Sequence, residues 1–483
     1  MLLSSLLTSD LTAPHGSEEV EITTLTADSR KVTPGALFAA LAGTKADGAR
    51  FVLDAIANGA AAVLVAENSV VPPVGVPVLR SKDPRRALAL MAARFNPAQP
   101  EVTVAVTGTS GKTSVAEYTR QLFAALGRPA ASLGTIGLVK PDARLYGSLT
   151  TPEPVALHAT LAELAREGVT HLAFEASSHG LSQRRLDGVR LTAAAFTNLG
   201  RDHLDYHPTI EDYFAAKLRL FETLLEPGRP AVVNADGSRA PHVISAARRR
   251  GLEVHTVGAN GDALKLTSLQ AVGFGQRLAV LHGGRSYDVR LPLLGAYQAA
   301  NALLAAGLAI ATGEHPGAAL SSLETLKGVE GRLDVAGEAR GGLVVVDYAH
   351  KPEALDSALD ALRPLAPRRL ICVFGCGGNR DRGKRPIMGR IAVEKADIVI
   401  ITDDNPRSED PSMIRAEILE AATGAIEIGD RAAAIATAVD MMGKGDVVLI
   451  AGKGHETGQI IGQTVVPFSD HDAVRTALRR AQT

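Results

Sequence analysis

The chain is predicted to be an α/β protein of about three domains, built on mostly parallel sheets. Three observations lead there. Its 483 residues exceed what one hydrophobic core organises. Short Val/Ile/Leu runs alternate with Ala-rich helical stretches, the pattern of repeated βαβ units. Two punctuated segments, NPAQPE (96–101) and GVEGRLD (328–334), each stand just before a new strand and set domains at 1–96, 97–330 and 331–483.

The middle segment opens with the strand VTVAVT (102–107) and the helical pattern VAEYTRQLFAAL (115–126). Further strands are HLAFEA (171–176), AAAFTN (193–198) and AVVNAD (231–236). TIEDYFAAKLRLFETLL (209–225) reads as a helix whose apolar face carries Tyr213, Phe214, Leu218, Phe221 and Leu225. The last segment offers LVVVDY (343–348), LICVFG (370–375), DIVIIT (397–402) and DVVLIA (446–451). Nearly every strand runs into a polar, Gly-rich or charged loop. Ligands of open α/β sheets bind outside the carboxyl ends of strands, so the chemistry is expected in those loops.

Composition removes several function classes. A net charge of -1, from 51 basic and 52 acidic residues, argues against a nucleic-acid partner. Tryptophan is absent and aromatics are 4%, too few for base-stacking platforms. The two cysteines, Cys372 and Cys376, exclude a disulfide framework and leave no second pair for a zinc site. They read as structural residues in and after a strand. MLLSSLLTSDL at the start has no basic residue ahead of its leucines, and no apolar run approaches the ~18 residues of a membrane span. A cytoplasmic chain without stable membrane insertion is expected.

TGTSGKTS (107–114) lies between a strand and a helix, the context of a phosphate loop. Gly108, Thr109, Ser110, Gly111, Lys112, Thr113 and Ser114 would wrap the phosphates of ATP. Lys112 would reach the terminal phosphates and the Thr113 hydroxyl would ligate Mg²⁺. The spacing is shorter than the common motif, because Val106 holds its first glycine position. FEASSHG (174–180) ends its strand with Glu175, and TNLGRDHLDYHPT (197–209) ends its strand near His203. Mg²⁺ prefers oxygen, so Glu175 fits directly and His203 less well; Asp202 and Asp205 are equally good on chemistry alone. Lys217 lies beside the apolar stripe of its helix. On pattern alone its stem lies on apolar surface with its head in water.

Together the motifs resemble the Mur ligase family of peptidoglycan synthesis. GTSGKTS, FEASSHGLSQRRLDG, TNLGRDHLDYH, LLGAYQAANALLA, GVEGRLD, VDYAHKPEAL, FGCGGNRDRGKRPIMG, TDDNPRSEDP and AGKGHE match in order over nearly the whole chain. The resemblance implies an N-terminal UDP-binding domain, a central P-loop ATPase and a C-terminal Rossmann-like domain for the incoming amino acid. The last four motifs are those of members that add the third peptide residue to UDP-MurNAc-L-Ala-D-Glu. In the implied reaction ATP phosphorylates the D-glutamate γ-carboxylate and the amine of the third residue attacks the acyl phosphate.

Site residues follow by resemblance. Thr113 and Glu175 serve one Mg²⁺ and His203 a second, with Lys112 at the phosphates. Lys217 matches a carbamylated lysine, which presents carboxylate-like oxygens to a cation. Asn301, Arg332 and Asp347 match nucleotide contacts. Ser29, Thr44, Lys45, Ala46, Thr150, Thr151, Ser177, Gln183 and Arg185 match contacts to the UDP-sugar-peptide. Leu149 and Asn379 depart from the pattern: Leu149 stands beside Thr150 where the family has an asparagine, and Asn379 stands next to Arg380 where it has an aspartate.

TDDNPRSED (402–410) decides the amino acid. In the family D-N-P-R accompanies meso-diaminopimelate, and lysine-adding members lack the arginine. Here Asp404, Asn405, Pro406 and Arg407 are intact, and Arg380, Gly452 and Glu456 match the remaining contacts. A distal carboxylate demands a fixed cation, and the planar fork of arginine suits it. Two other readings stand beside this one: a related Mur or folylpolyglutamate-type ligase indifferent to diaminopimelate, and a P-loop binding protein without ligase activity. A monomer is expected.

Overall fold

The structure is a computed structural model that describes residues 1–8, 11–43, 47–145 and 149–482. Its central strands are the uninterrupted apolar runs. Val102–Thr107, His171–Glu175 and Ala193–Phe196 have almost no exposed residue, as strands covered on both faces require. They lie side by side in an 11-stranded sheet, with Val102–Thr107 between the other two. Neighbours are parallel from Ala130–Gly134 across to Glu253–Gly258. Antiparallel ribbons extend both edges. Helices Lys112–Ala125 and Ala296–Ala311 fill one face through Val115, Leu122, Phe123, Leu303 and Leu304. Helix Pro154–Arg166 covers the other through Leu157 and Leu161. Each such fully buried side chain is worth about 1.5–3 kcal/mol of apolar transfer.

A six-stranded sheet follows in the C-terminal part. Gly342–Asp347, Val447–Ala451, Leu370–Phe374 and Ile398–Ile401 run parallel in that spatial order. Helices Pro352–Leu362 and Lys384–Lys395 pack on one face, Arg431–Met441 and Asp470–Gln482 on the other. The N-terminal part is a five-stranded sheet, parallel except for the edge strand Leu11–Thr12. A separate hairpin, Gly458–Ile461 with Thr464–Pro467, stands beside the C-terminal sheet. Among the described residues no helix is long and apolar enough to cross a membrane.

Two sequence expectations are corrected. The strand before His203 stops at Phe196, and His203 stands well beyond it in a coil, with a left-handed φ of 52°. The helix expected over 209–225 is α only for Ile210–Arg219, capped by the Thr209 side chain, and continues as a π turn over Leu220–Leu224. The later apolar side chains Leu220, Phe221 and Leu225 take the core. Lys217, at 1% exposure, is buried, while Leu218 is only half-buried. The head of Lys217 is therefore not in water.

Candidate active site

The phosphate loop is shaped by its neighbours. At Gly108, φ is 144° and a Cβ would collide with Thr197 Oγ1, so only glycine fits. Asn198 Oδ1 accepts from Ser110 N (2.9 Å), and Thr197 Oγ1 donates to Ser110 O (2.6 Å), fixing the loop to the next strand end. Gly111, left-handed at φ 86°, caps the helix Lys112–Ala125. That aims the first-turn N–H groups at the cavity, a ready anion site. Lys112 Nζ donates to Gly108 O (3.0 Å) and Thr109 O (2.9 Å). Burial, and then the ammonium of Lys351, lower its pKa to about 8. Lys217 Nζ donates to the same Gly108 O at 2.7 Å. Burial, with Lys112 and Lys351 nearby, holds it well below the ordinary lysine value.

Glu175 ends its strand at 1% exposure. Its Oε1 accepts from Thr113 Oγ1 (2.9 Å) and Thr135 N (2.7 Å), its Oε2 from Thr135 Oγ1 (3.2 Å). A hydroxyl and a carboxylate side by side at a phosphate loop fit Mg²⁺, which takes few protein oxygens and completes its shell with phosphates and waters. Among the described residues no three His, Cys, Asp or Glu side chains form a self-sufficient metal cage. His203 is 3.1 Å from Asp202 Oδ2.

These groups line a cavity of about 450 Å³ with Thr109 to Ser114, Glu175, His203, Lys217, Asn301, Arg332 and Asp347 in its wall. Asp347, 6% exposed, accepts from Leu333 N at 2.6 Å. Burial pushes its carboxyl up to about 6, against the pull of Arg332. The Arg332 guanidinium lies 4.2 Å over the Tyr348 ring. Thr150 and Ser177 line this cavity too, while Thr151, Gln183 and Arg185 stand behind them. Thr151 Oγ1 donates to Ser177 Oγ (2.9 Å), and Arg185 donates to Thr151 O (2.7 Å) and Gln183 Oε1 (2.6 Å). Ser29 starts a turn capped by Asp28 and lines neither this cavity nor the next. Thr44, Lys45 and Ala46 lie outside the described residues.

A second cavity of about 190 Å³ opens at the carboxyl end of the C-terminal sheet, lined by Arg380, Asp404, Asn405, Arg407, Gly452 and Glu456. Pro406, between Asn405 and Arg407, is buried and is not part of that lining. Arg407 has a left-handed φ of 53°, a strained state for arginine. The hairpin holds it there: Arg407 N donates to Ile460 O (3.0 Å) and Gly462 N to Arg407 O (2.7 Å). Its Nη1 donates to Gly378 O at 2.9 Å. Burial, and then the nearby Arg380, lower its pKa. Asn379, where the sequence departs from the family pattern, accepts from Ser408 N (3.1 Å) through Oδ1 and so ties the two loops together. Leu149 is exposed.

Sequence reasoning missed three groups here. Lys453, with no exposed surface, donates to Asn405 Oδ1 (3.1 Å) and Glu456 Oε2 (2.9 Å). Asn405 Nδ2 donates to that same Glu456 oxygen (2.9 Å), and among the described residues Oε1 has no hydrogen-bond partner. Thr135 holds Glu175, as described. Lys351 stands where the cavities meet: Asp202, His203, Tyr348, His350 and Lys351 line both. Ion pairs bind the loops of the two sheets at this junction, namely Lys351–Asp202 (2.7 Å), Arg201–Asp381 (2.8 Å) and Arg380–Asp205 (3.2 Å). Asp202 is pushed up by burial, but Lys351 and His203 outweigh this and hold it well below the carboxylate range. The signal for Lys351 and Lys453 was their place just past a strand end, in VDYAHK and AGK.

A phosphate loop on a parallel sheet, facing a charged cavity on a second sheet, defines a P-loop enzyme that brings a nucleotide and a second substrate together. The chain belongs to the Mur ligase family. Residues 21–96 match the Mur ligase family catalytic domain, 106–309 the Mur ligase middle domain and 331–454 the Mur ligase glutamate ligase domain. It is 58% identical over 484 residues, 99% of each chain, to the UDP-N-acetylmuramoyl-L-alanyl-D-glutamate–2,6-diaminopimelate ligase of Bradyrhizobium diazoefficiens. To the protein of that name from Agrobacterium fabrum it is 57% identical over 477 residues, 99% of this chain and 96% of the relative. A solved structure of a ligase with the same name superposes at a TM-score of 0.69, with 34% identity and 96% of each chain covered. MurF ligase from Thermotoga maritima, solved with ADP, shares the fold at a TM-score of 0.65 and 20% identity, over 96% of this chain and 98% of that one.

Proposed function

We propose that the protein is an ATP-dependent amide ligase that joins meso-diaminopimelate to the D-glutamate γ-carboxylate of UDP-MurNAc-L-Ala-D-Glu, in cytoplasmic peptidoglycan precursor synthesis. It acts as a monomer, with the UDP-sugar in domain 1–96, ATP in 97–330 and the amino acid in 331–483. The observation that carries this reading is the pair of adjoining cavities. One holds the phosphate loop; the other holds Arg407 and Glu456, an acceptor for a distal ammonium beside a donor for a distal carboxylate.

A carboxylate is a poor electrophile, so it is first phosphorylated. One of its oxygens bonds to the γ-phosphorus, and the bond to the β,γ-bridging oxygen breaks with its electron pair leaving on ADP. Lys112 and the first-turn N–H groups offset the repulsion between carboxylate and triphosphate. The substrate amine then attacks the acyl carbon, and the tetrahedral intermediate expels phosphate. Of the two protons the ammonium gives up, one ends on the phosphate and one leaves to solvent. Mg²⁺, held by Thr113 and Glu175, with His203 and carbamylated Lys217 at a second ion, would neutralise phosphate charge. Lys217 suits carbamylation, because burial lowers its pKa and so favours the neutral amine, the form that adds CO₂.

The test is phosphate release with ATP and UDP-MurNAc-L-Ala-D-Glu, comparing meso-diaminopimelate with L-lysine. Release with the first and little with the second is expected. Equal rates would remove the specificity, and no release with either would remove the ligase.

A further inference from the structure

Three lysine amines crowd two consecutive carbonyl oxygens of the phosphate loop. Lys112 and Lys217 share Gly108 O, at 3.0 and 2.7 Å. Lys112 and Lys351 share Thr109 O, at 2.9 and 3.4 Å. The first two belong to the central part of the chain. Lys351 does not: it caps the helix Pro352–Leu362, just past the strand Gly342–Asp347 of the other sheet. It is 8% exposed, and its Nζ lies 2.7 Å from Asp202 Oδ2. Bringing a second ammonium to the carbonyl oxygen that Lys112 already holds is unfavourable in a water-poor site unless an anion is to be received there. Neutralising Asp202 alone would not require the ammonium to reach the phosphate loop as well.

We propose that Lys351 is a catalytic cation delivered across the domain boundary, donating to the phosphoryl group as it passes from ATP to the γ-carboxylate. The proposal rests on the ligase reading above and deepens it. As the carboxylate oxygen bonds to the γ-phosphorus and the electron pair of the bridging bond departs with ADP, charge spreads over the equatorial oxygens. Lys351 donates hydrogen bonds to those oxygens and transfers no proton. Because it also lines the amino-acid cavity, it stays beside the acyl phosphate when the amine arrives. Its reach to Thr109 exists only while the two domains are together. An open phosphate loop therefore lacks this cation, and ATP is not spent before the second domain has docked.

The experiment follows ADP formation in a single turnover with ATP and UDP-MurNAc-L-Ala-D-Glu but no amino acid, which isolates phosphoryl transfer. Lys351→Met is expected to slow ADP formation by ~10²–10³-fold, the loss typical of one oxyanion donor. The KM for diaminopimelate should change little, and Lys351→Arg should recover much of the rate. To separate chemistry from misfolding, Lys351→Cys is assayed before and after alkylation with 2-bromoethylamine, which rebuilds an ammonium. Cys372 and Cys376 are buried and line neither cavity, whereas position 351 lines both and is open to the reagent there. A rate that rises on alkylation supports the proposal. Wild-type ADP formation in Lys351→Met, or no rise on alkylation, overturns it. A wild type that releases no phosphate even with all substrates brings down the ligase reading itself, and this proposal with it.

Discussion

Replacing Arg407 by alanine should cost selectivity rather than general activity. The guanidinium uses Nη1 on Gly378 O (2.9 Å) and Asn405 O (3.4 Å). Among the described residues its Nε and Nη2 have no partner, which leaves one edge of the fork for a carboxylate. Each hydrogen bond to a charged group is worth about 1.5–3 kcal/mol, so a bidentate pair is worth about 3–6 kcal/mol. Arg407 is only half-buried, and solvent screening favours the lower half of that range. At 1.36 kcal/mol per decade, kcat/KM for meso-diaminopimelate should fall roughly 10²–10³-fold. L-Lysine has no distal carboxylate, so its kcat/KM should change by less than about threefold on the same reasoning. The assay is coupled phosphate release with each amino acid varied at saturating ATP and UDP-dipeptide. Equal losses with both amino acids would refute the role, since they would mean that Arg407 only holds up the loop.

Lys217→Ala should be inactive and partly restored by a small carboxylic acid such as formate; full activity without any addition would eliminate the carbamate. Arg431 and Asp470, both without exposed surface, form a two-bond ion pair at 2.7 and 2.8 Å. Arg431→Met should lower stability to denaturant by about 3–5 kcal/mol by leaving Asp470 buried and unpaired, and adding Asp470→Leu should recover part of the loss. No recovery in the double variant would show that packing, not charge, sets the cost. His471 donates to Asp334 at 2.8 Å, and this partner, against the opposing effect of burial, raises its pKa above 6.5. A raised histidine stabilises fully below 6.5 and loses its contribution as pH rises through the folded value. Hydrogen exchange in the helix Asp470–Gln482 should therefore be slower in wild type than in His471→Gln at pH 6, with the gap closing by pH 9. A gap that is the same at both pH values would assign the effect to something other than charge.

The strands of both parallel sheets were legible because strands covered on both faces are continuous apolar runs, as in Val102–Thr107 and Leu370–Phe374. Lys112 and Thr113 were legible because a phosphate loop is contiguous and its glycines answer a steric demand, as Gly108 does against Thr197. Arg407 and Glu456 rested on family motifs, since spacing alone leaves them surface charges. Lys217 was misread in isolation, because its head is buried against the phosphate loop at Gly108 O, a contact that the helical period does not reveal. His203 escaped placement for a related reason: a left-handed coil residue has no periodicity. Lys351 and Lys453 were not singled out, because their value arises from groups brought beside them from far along the chain, Thr109 and Asp202 for one, Asn405 for the other.

The grip of the hairpin on Arg407 bears on how substrate choice can be re-engineered or drift. The residue at 407 is held in a left-handed backbone by Ile460 and Gly462, and the same hairpin orients Asn405 through Ile460 N (2.9 Å) and Asp404 through Gln459 (2.7 Å). A β-branched or apolar replacement at 407 inherits that backbone strain without the hydrogen bonds of a guanidinium to offset it. Converting the enzyme to another amino acid is therefore a transplant of two segments, 402–410 with 458–467, rather than a point substitution, and chimaeras that exchange only one should be poor with either substrate.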